Sequence, residues 1–454
     1  MNTNPENVKK TLDEIISDMA DHKWLFTTDP GRVFSRESSG KLSFANTLRL
    51  ILSMGKGTSS DEIIDFLKID PDLIPSQSAF IQRRSQINLS AFEYLFHSFS
   101  AAFPQTTNQF KDHCILAADG CHVVYMTNSE IIHDYNKPRL ADYKGYNHMH
   151  LNGFVDVISK AVLDAVIQPG QKPDERCALH TMLDHFNPDN PDKYIITADR
   201  GYESYDLLFH CELKSLKYVF RVKAPSSLKC ILATFADELP DHLDEFDIRI
   251  NRFFTDKLTN IMKSRQEVYH YMNPAKNIPH FQPLLDNRHL VYISFRAVKL
   301  KMPDGSFEYL ITNLPFSFDL EDIRTCYHWR WGIEVTFRYL KHAAGLLYFH
   351  SRKPEFLKQE IFATLVMYNF GVFLANEAAA QCKRKTRNPN NKFNYTIDFS
   401  TAIRTARKYF LRRAGDKPID IIKLLCRFIH AVKEEFRMFS RPLHGIGAVR
   451  FNYR

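Results

Sequence analysis

Apolar residues recur at helical intervals through most of residues 1–108. TLDEIISDM, SFANTLRLILSM, SSDEIIDFLKI and SAFIQRRSQI each space them three or four positions apart, as an amphipathic helix does. Ser59 or Ser60 is placed to cap the third of these helices, and Pro75-Ser76 to open the fourth. The third and fourth, joined by IDPDLIP, have the form of a helix-turn-helix. Its second helix would expose Gln82, Arg83, Arg84 and Gln86 to phosphates or base edges. Helix pairs are also common inside cores, so the pattern alone leaves base reading open.

Near residue 113 the period changes. HCILAADGCHVVY (113–125) is an apolar strand run that reads as ending at Asp119. HMHLNGFVDVI (148–158) and KAVLDAVIQP (160–169) flank a turn and predict a hairpin. A helix over 175–186 follows, then a second apolar strand ending in an acid, KYIITADRGY (193–202). YESYDLLFHCEL predicts a helix and KYVFRVKA (217–224) another strand. Three strands, helix, strand, helix, strand is a mixed α/β pattern. Residues 226–317 are strand-rich, with RHLVYISFRAVKL and FEYLITNLP on either side of the turn Pro303-Asp304-Gly305. The helix YHWRWGIEVTFRYLKH comes next, then an apolar helix over 361–375. That apolar run contains Asn369 and is short for a membrane span, so it reads as a buried core helix. KRKTRNPNNK (383–392) has the composition of a linker, and two further helices are predicted over 397–413 and 418–438. The chain divides into helical 1–108, mixed α/β 109–225, a β-rich insertion 226–317, a helical part 318–380 and a basic helical region 381–454.

Charge sharpens this division. The net charge is +8, but residues 381–454 hold 18 Lys+Arg against 5 Asp+Glu, leaving 42 against 47 on the rest. A basic tail on a mildly acidic body points to a polyanion such as nucleic acid. Within the tail, Arg404, Arg407, Lys408, Arg412 and Arg413 are the candidate contacts, beside Arg83 and Arg84 near the N-terminus. Aromatic residues make up 13% of the chain, 36 of them Phe, which argues for extensive packed cores. Eight Cys occur without a CxxC pair, the usage of structural thiols in a reducing compartment. MNTNPENVKK lacks the apolar stretch of a signal peptide. These features set the expectation of a cytoplasmic, nucleoid-associated protein with no membrane partner.

Lesser signals have ordinary explanations. His148 and His150 share a strand face without an evident third soft ligand, and Cys177, His180 and His185 lie on one helix. Both groups read as structural. Trp329 and Trp331 bracket Arg330, and packing accounts for at least one of them.

The candidate chemistry lies in three acids and one helix. Tyr327, Arg330, Glu334 and Lys341 stand at i, i+3, i+7 and i+14. At roughly 100° per residue they fall within about 60° of arc, with Arg338 alongside. Ile333, Phe337, Leu340 and Ala344 form an apolar stripe a quarter-turn away. Such a helix can bury one flank and present an acid among cations on the other, although a solvated face of ion pairs looks similar. Asp119 and Asp199 each follow an apolar strand run. On adjacent parallel strands they would emerge together, and Glu334 could complete a three-carboxylate cluster. Acids so placed repel one another unless cations hold them. Oxygen donors of this kind suit Mg²⁺ or Mn²⁺, and two such ions about 3.5–4 Å apart serve phosphoryl transfer.

These residues resemble the Insertion Sequence Four family of DDE transposases. Its Tyr-(2)-Arg-(3)-Glu-(6)-Lys signature is met by Tyr327, Arg330, Glu334 and Lys341 without a spacing error. LAADGCHV around Asp119, ITADRGYES around Asp199 and LITNLP at 310–315 are similar to its other motifs, and the likeness runs from about residue 30 to the end. The resemblance implies a ribonuclease-H-like mixed sheet interrupted by the β-rich insertion, with helical regions at both ends. It implies Asp119, Asp199 and Glu334 as ligands of two Mg²⁺ or Mn²⁺ ions. It further implies Tyr327, Arg330 and Lys341 as contacts to DNA phosphate. The partners would be double-stranded DNA, both element ends and target, and a second copy of the chain in a synaptic homodimer. The implied reaction is excision at terminal inverted repeats through a hairpin, then joining to target DNA. Relatives use an insertion Trp to hold a base flipped from the hairpin. Here the only Trp residues are Trp24, Trp329 and Trp331. Phe253, Phe254, Tyr269 or Tyr271 would have to substitute. Two alternatives use the same fold: a non-catalytic repressor that binds element ends, and another two-metal nuclease. Three clustered acids argue against the repressor.

Overall fold

The structure, a computed structural model, describes residues 4–29, 34, 42–67, 74–103, 109–137, 145–227, 230–382, 394–413 and 415–432. Five helices open the chain: α1 (Pro5–Asp21), α2 (Phe44–Ser53), α3 (Ser59–Leu67), α4 (Gln77–Ser85) and α5 (Leu89–Ala101). Ser43 caps α2 and Ser76 caps α4, each hydroxyl accepting from the backbone N–H three residues on. The cap of α3 is Thr58 rather than Ser59 or Ser60. Its hydroxyl accepts from Asp61 N–H at 3.2 Å, and the Asp61 carboxylate accepts from Thr58 N–H at 3.0 Å, a reciprocal box. Most of the IDPDLIP connection between α3 and α4 lies outside the described residues.

The expected exposure of Arg84 is corrected. Phe80 and Arg84 lie one turn apart on the inward face of α4, and Arg84 is 2% exposed. Its guanidinium bonds Gln359 Oε1 at 2.9 Å, Glu360 Oε1 at 2.7 Å and the Phe356 carbonyl. A guanidinium buried in this way is a strut between helices, not a DNA contact. Gln82 stays exposed, and Arg83 is half-buried over the Phe34 ring.

The sheet strands are β1 (Cys114–Tyr125), β2 (Tyr135–Asn136), β3 (Tyr146–Asp156), β4 (Val162–Pro169), β5 (Tyr194–Ala198), β6 (Lys217–Val222), β7 (Phe246–Thr255), β8 (Tyr269–Tyr271), β9 (Leu290–Lys301) and β10 (Phe307–Thr312). Their order is β2-β3-β1-β5-β6-β10-β9-β7-β8, with β4 also on β3. Within it β4-β3-β1 are antiparallel, while β1, β5 and β6 run parallel. This is a ribonuclease-H-like mixed sheet. The β-rich insertion builds no separate sheet. β10 pairs antiparallel with β6 from Tyr309–Val222 to Thr312–Val219, and β9 and β7 extend the same surface.

Helices cover both faces. α6 (Glu175–His185) and α7 (Tyr205–Leu213) lie on one. On the other lie α9 (Leu320–Trp329), α10 (Gly332–Tyr339) and α11 (Pro354–Cys382), with α5 beyond. Short α8 (Asn260–Ser264) belongs to the insertion. The abundant Phe goes largely into the α5–α11 seam. Phe96 meets Phe362 at 5.9 Å between ring centres, and Phe99 meets Phe373 at 5.6 Å. α11 is the one helix among the described residues long and apolar enough to cross a membrane, yet 83% of its most apolar stretch is buried within the protein. Its Asn369 is satisfied there, accepting from Val162 N–H at 2.9 Å and donating to the Val162 carbonyl at 2.7 Å.

In the basic region, α12 (Phe399–Phe410) matches the first expected helix. The second is much shorter than expected. α13 (Ile421–Leu425) gives way to β12 (Ile429–Val432), which pairs with β11 (Asn394–Ile397), so the edge of β11 takes residues that periodicity had assigned to a helix. Residues 433–438 and the 383–392 tract lie outside the described residues. Six cysteines are free thiols, whereas Cys382 and Cys426 are joined as a disulfide between α11 and the end of α13. They stand 44 positions apart, so no local spacing announced that pair.

Candidate active site

β1 is paired with β3 along nearly its whole length, but with β5 only from Cys114 to Ala117. Asp119 therefore sits mid-strand, not at the strand end that the apolar run implied. It does lie just past the parallel part. The last parallel pair is Ala117 with Thr197, so two further residues along each chain bring Asp119 level with Asp199. Alternation puts the Asp119 side chain on the face of Ala117 and Cys121, which α10 covers. Each acid spends one oxygen locally. Asp119 Oδ1 accepts from Gly120 N–H at 2.8 Å, and Asp199 Oδ1 from Gly201 N–H at 2.7 Å. Burial lifts the Asp119 carboxyl to about 6; the Gly120 N–H and Arg330 oppose the rise, while Asp199 and Glu175 add to it.

The signature residues do not lie on one regular helix. α9 ends at Trp329 and α10 begins at Gly332. Around this break the N–H groups of Arg330, Trp331, Ile333 and Glu334 bond three residues back, to Tyr327, His328, Arg330 and Trp331. Lys341 sits in a wider π-type turn, Leu340–Ala344. The break falls at a close approach that requires glycine: at Gly332 a Cβ would stand 3.0 Å from Val157 Cβ and 3.2 Å from its carbonyl oxygen. The apolar stripe is buried as expected, at Ile333, Phe337, Leu340 and Ala344. Phe337 lies against Gly153, the β3 partner of Asp119. About two turns before it, Arg330 Nη1 stands 3.8 Å from Asp119 Oδ2. Glu334 is thus held between two anchors that both reach the level of Asp119. Lys341 places its charge near Cys121 and His122, the next residues of β1 past Gly120.

Tyr327 is 3% exposed and Arg330 4%. The Tyr327 hydroxyl and Arg330 Nε are buried with no hydrogen-bond partner among the described residues. Leaving such groups unpaired is costly. Trp329 packs on Phe110, while Trp331 is 41% exposed and stacks on Arg330.

Two residues near this centre escaped the sequence reading. Tyr202, in the same DRGY run as Asp199, is buried, and its hydroxyl has no partner among the described residues. Burial drives its pKa well up, with Glu175, Asp119 and Asp199 adding to that. The motif could have revealed it. Glu175, on the first turn of α6, bonds His150 Nε2 at 3.0 Å. Both groups press on Gly120, where a Cβ would stand 2.1 Å from His150 Nε2. No local signal marked Glu175, which reads as an ordinary helix-start acid. His148 and His150 are buried and hydrogen-bonded.

Among the other candidate cations, Arg338, Arg404, Lys408 and Arg413 face solvent, and Arg412 is half-buried on the Lys417 carbonyl. Arg407 leaves the set. Its guanidinium bonds the Ala344 carbonyl and lies beside Gly55, and burial draws its pKa down to about 10. Of the aromatics considered for base stacking, Phe254 is fully buried and drops out, whereas Tyr271 is 39% exposed.

A family model of the transposase DDE domain matches residues 110–370, which contain all three acids and the whole signature. The chain belongs to the transposase DDE domain family. This DDE domain is a transposition enzyme module. A cryo-EM structure of a piggyBac transposase synaptic complex with hairpin DNA is similar at TM-score 0.43 and 11% identity, over 97% of this chain and 87% of that one. Comparison with curated proteins finds no match.

Proposed function

We propose that this transposase serves an element of the Insertion Sequence Four type, excising it at its terminal inverted repeats and joining it to target DNA by two-metal phosphoryl transfer through a hairpin intermediate. The observation that carries the reading is the register of Asp119 with Asp199, with Arg330 beside the first acid and unpaired polar atoms on Tyr327 and Arg330. The donor set fits a hard divalent cation. Asp119, Asp199 and Glu334 offer carboxylate oxygens, and burial, with Asp199 and Glu175 adding to it, already disfavours ionising Asp119. Those three residues would hold Mg²⁺ or Mn²⁺, which would activate the attacking oxygen and stabilise the leaving one. The Arg330 guanidinium and the Tyr327 hydroxyl would donate to a phosphate oxygen near Asp119, and Lys341 would add charge further along β1. The DNA partners are element ends and target, engaged by a homodimer on the nucleoid. Phe253, Tyr269 and Tyr271 remain the aromatics for a flipped base.

Incubating the protein with labelled element-end DNA in Mg²⁺, Ca²⁺ or chelator, with products read on a denaturing gel, tests this. Nicked and hairpin products in Mg²⁺ alone support it; binding without cleavage in every condition would leave a repressor, and nicks without hairpin or joined product another nuclease.

Arg330→Ala and Lys341→Ala are expected to leave first-strand nicking reduced but present, with hairpin formation and joining losing more. These variants remove grips on phosphate and keep the acids. Equal loss at every step would instead indicate a folding or binding defect.

The tail makes a second test. Neutralising Arg404 and Lys408, exposed one turn apart on α12, is expected to flatten the log–log salt dependence of DNA binding by roughly 0.9 per lost phosphate contact. Arg407→Ala should lower the thermal midpoint and leave that slope alone. Filter binding across a salt series separates the two outcomes.

A further inference from the structure

The wide turn that carries Lys341 is gripped by both the N-terminal and the C-terminal helical regions. Over Leu340–Ala344 the helix loosens until Gly345 N–H bonds the Leu340 carbonyl, five residues back. A π-type turn is rare, and the final carbonyls of a helix have no helical partner. Here two of them are taken by cations from distant segments. The Ala344 carbonyl accepts from Arg407 Nη2 on α12, and the His342 carbonyl accepts at 3.4 Å from Lys56 Nζ in the α2–α3 connection. Lys56 also rests over the Tyr348 ring, 4.8 Å from its centre.

The seat of Arg407 is shaped for its guanidinium. Nη1 lies between two glycines, where a Cβ would stand 3.3 Å away at Gly55 and 3.6 Å away at Gly345. Gly345 has φ +95°, the left-handed conformation that closes the helix. Glu62 fixes the opposite wall, its Oε1 accepting from Gly55 N–H and Gly57 N–H at 2.8 Å each. α12 also meets the start of the turn, where Phe399 stacks on Tyr339 at 6.1 Å between ring centres. Phe399 and Arg407 lie about two turns apart on α12. One helix of the basic region thus braces the segment from Tyr339 to Ala344.

We propose that Arg407 is a positioning residue for the strand-transfer chemistry: by holding the Ala344 carbonyl it keeps the wide turn in place and so sets where the Lys341 ammonium stands beside β1. Regular helical bonding and a wide turn point side chains at different angles about the helix axis, so whatever fixes the turn also aims Lys341. Arg407 acts through Lys341 and not on DNA, since its guanidinium is spent on the Ala344 carbonyl between Gly55 and Gly345. The inference rests on the reading of Lys341 as a phosphate grip.

The test compares Arg407→Ala, Arg407→Lys, Lys341→Ala and the Arg407→Ala/Lys341→Ala double variant, as full chains, on labelled element-end DNA in Mg²⁺. The quantity read is hairpin plus joined product relative to first-strand nick. Arg407→Ala should lower that ratio as Lys341→Ala does, and the double variant should match Lys341→Ala within about twofold, because the two residues act as one unit. Arg407→Lys keeps the charge and a donor and should recover part of the ratio. Backbone hydrogen exchange at Gly345 and Leu346 should quicken in Arg407→Ala, and less in Arg407→Lys, while β1 and β5 keep the parent's rates. A strut with no part in the reaction would lower nicking and later products together, and its effect would multiply with that of Lys341→Ala; either result overturns the proposal. Unchanged exchange at Gly345 and Leu346 overturns it too. Should Arg407→Ala fail to fold, Arg407→Lys carries the same comparisons. If Lys341→Ala keeps the parent's ratio, Lys341 is no phosphate grip and the proposal falls with that reading; if Lys341→Ala loses the ratio and neither Arg407 variant does, the proposal alone falls.

Discussion

Asp119→Asn, Asp199→Asn and Glu334→Gln are each expected to abolish Mg²⁺-dependent strand cleavage while element-end binding stays near normal. The neutral isosteres keep volume and shape, so α10 and the Asp119–Asp199 pairing level should persist. What they remove is the negative oxygen that a hard cation requires. Metal assistance is worth several kcal/mol in such reactions, and each 1.36 kcal/mol is tenfold in rate, so the loss should be on the order of 10³-fold or more. Binding by gel shift and cleavage on a denaturing gel separate the two properties. A variant that kept substantial cleavage would remove its residue from the ligand set. One secondary effect distinguishes the acids. Asp119 faces Arg330 Nη1 at 3.8 Å, so its neutralisation also leaves a buried guanidinium with less compensation. Asp119 is nonetheless lifted to about 6 by burial, a net cost to its ionised form, so Asp119→Asn should leave the thermal midpoint unchanged or raise it.

The second large effect lies far from the acids. Glu360→Ala is expected to destabilise the protein by about 3–5 kcal/mol, because it strips the carboxylate from two buried cationic groups at once. Glu360 Oε1 holds Arg84 Nη1 at 2.7 Å, and Oε2 accepts from His350 N–H at 2.9 Å and faces its Nδ1 at 3.2 Å. Glu62 of α3 stands 3.8 Å from the other side of the ring. Burial alone would push His350 down, but its bonds to Glu360 and Glu62 outweigh that and lift it to about 9. A histidine raised in the folded state contributes stability that is fully present below its ordinary 6.5 and is lost as pH rises through about 9. The denaturation midpoint should therefore fall across that window, and His350→Gln should flatten the fall. Urea unfolding at several pH values checks both, with the exposed Lys10–Glu14 pair as a control worth at most about 0.5 kcal/mol. A Glu360→Ala chain as stable as the parent would mean that this network is not what holds α3 and α4 to α11.

Much of the site could be read in advance because its signals are local. An apolar run interrupted by an acid needs only neighbouring residues to be recognised, and so does the spacing Tyr327, Arg330, Glu334, Lys341. The misreadings share one cause. Arg84 and Arg407 carry charge in segments rich in it, and local pattern assigns charge to solvent. Packing reversed that assignment by supplying Glu360 to one and the Ala344 carbonyl to the other. Thr58 was passed over as a cap because either following serine was chemically suitable, and only backbone geometry chose among the three. Glu175 and the Cys382–Cys426 pair join residues too far apart in the chain for any window to hold.

The sequence by itself determined the alternation of strands and helices, the acids, and the apolar stripe that buries the signature helix, since periodicity and residue chemistry act over a few positions. Tertiary structure alone decided that Asp119 lies mid-strand yet level with Asp199, that the insertion extends the sheet, that the signature helix is interrupted where Gly332 meets Val157, and which cations face solvent. Those outcomes depend on which strand edges pair and which faces meet, and the energies that settle them come from contacts between residues distant in the chain.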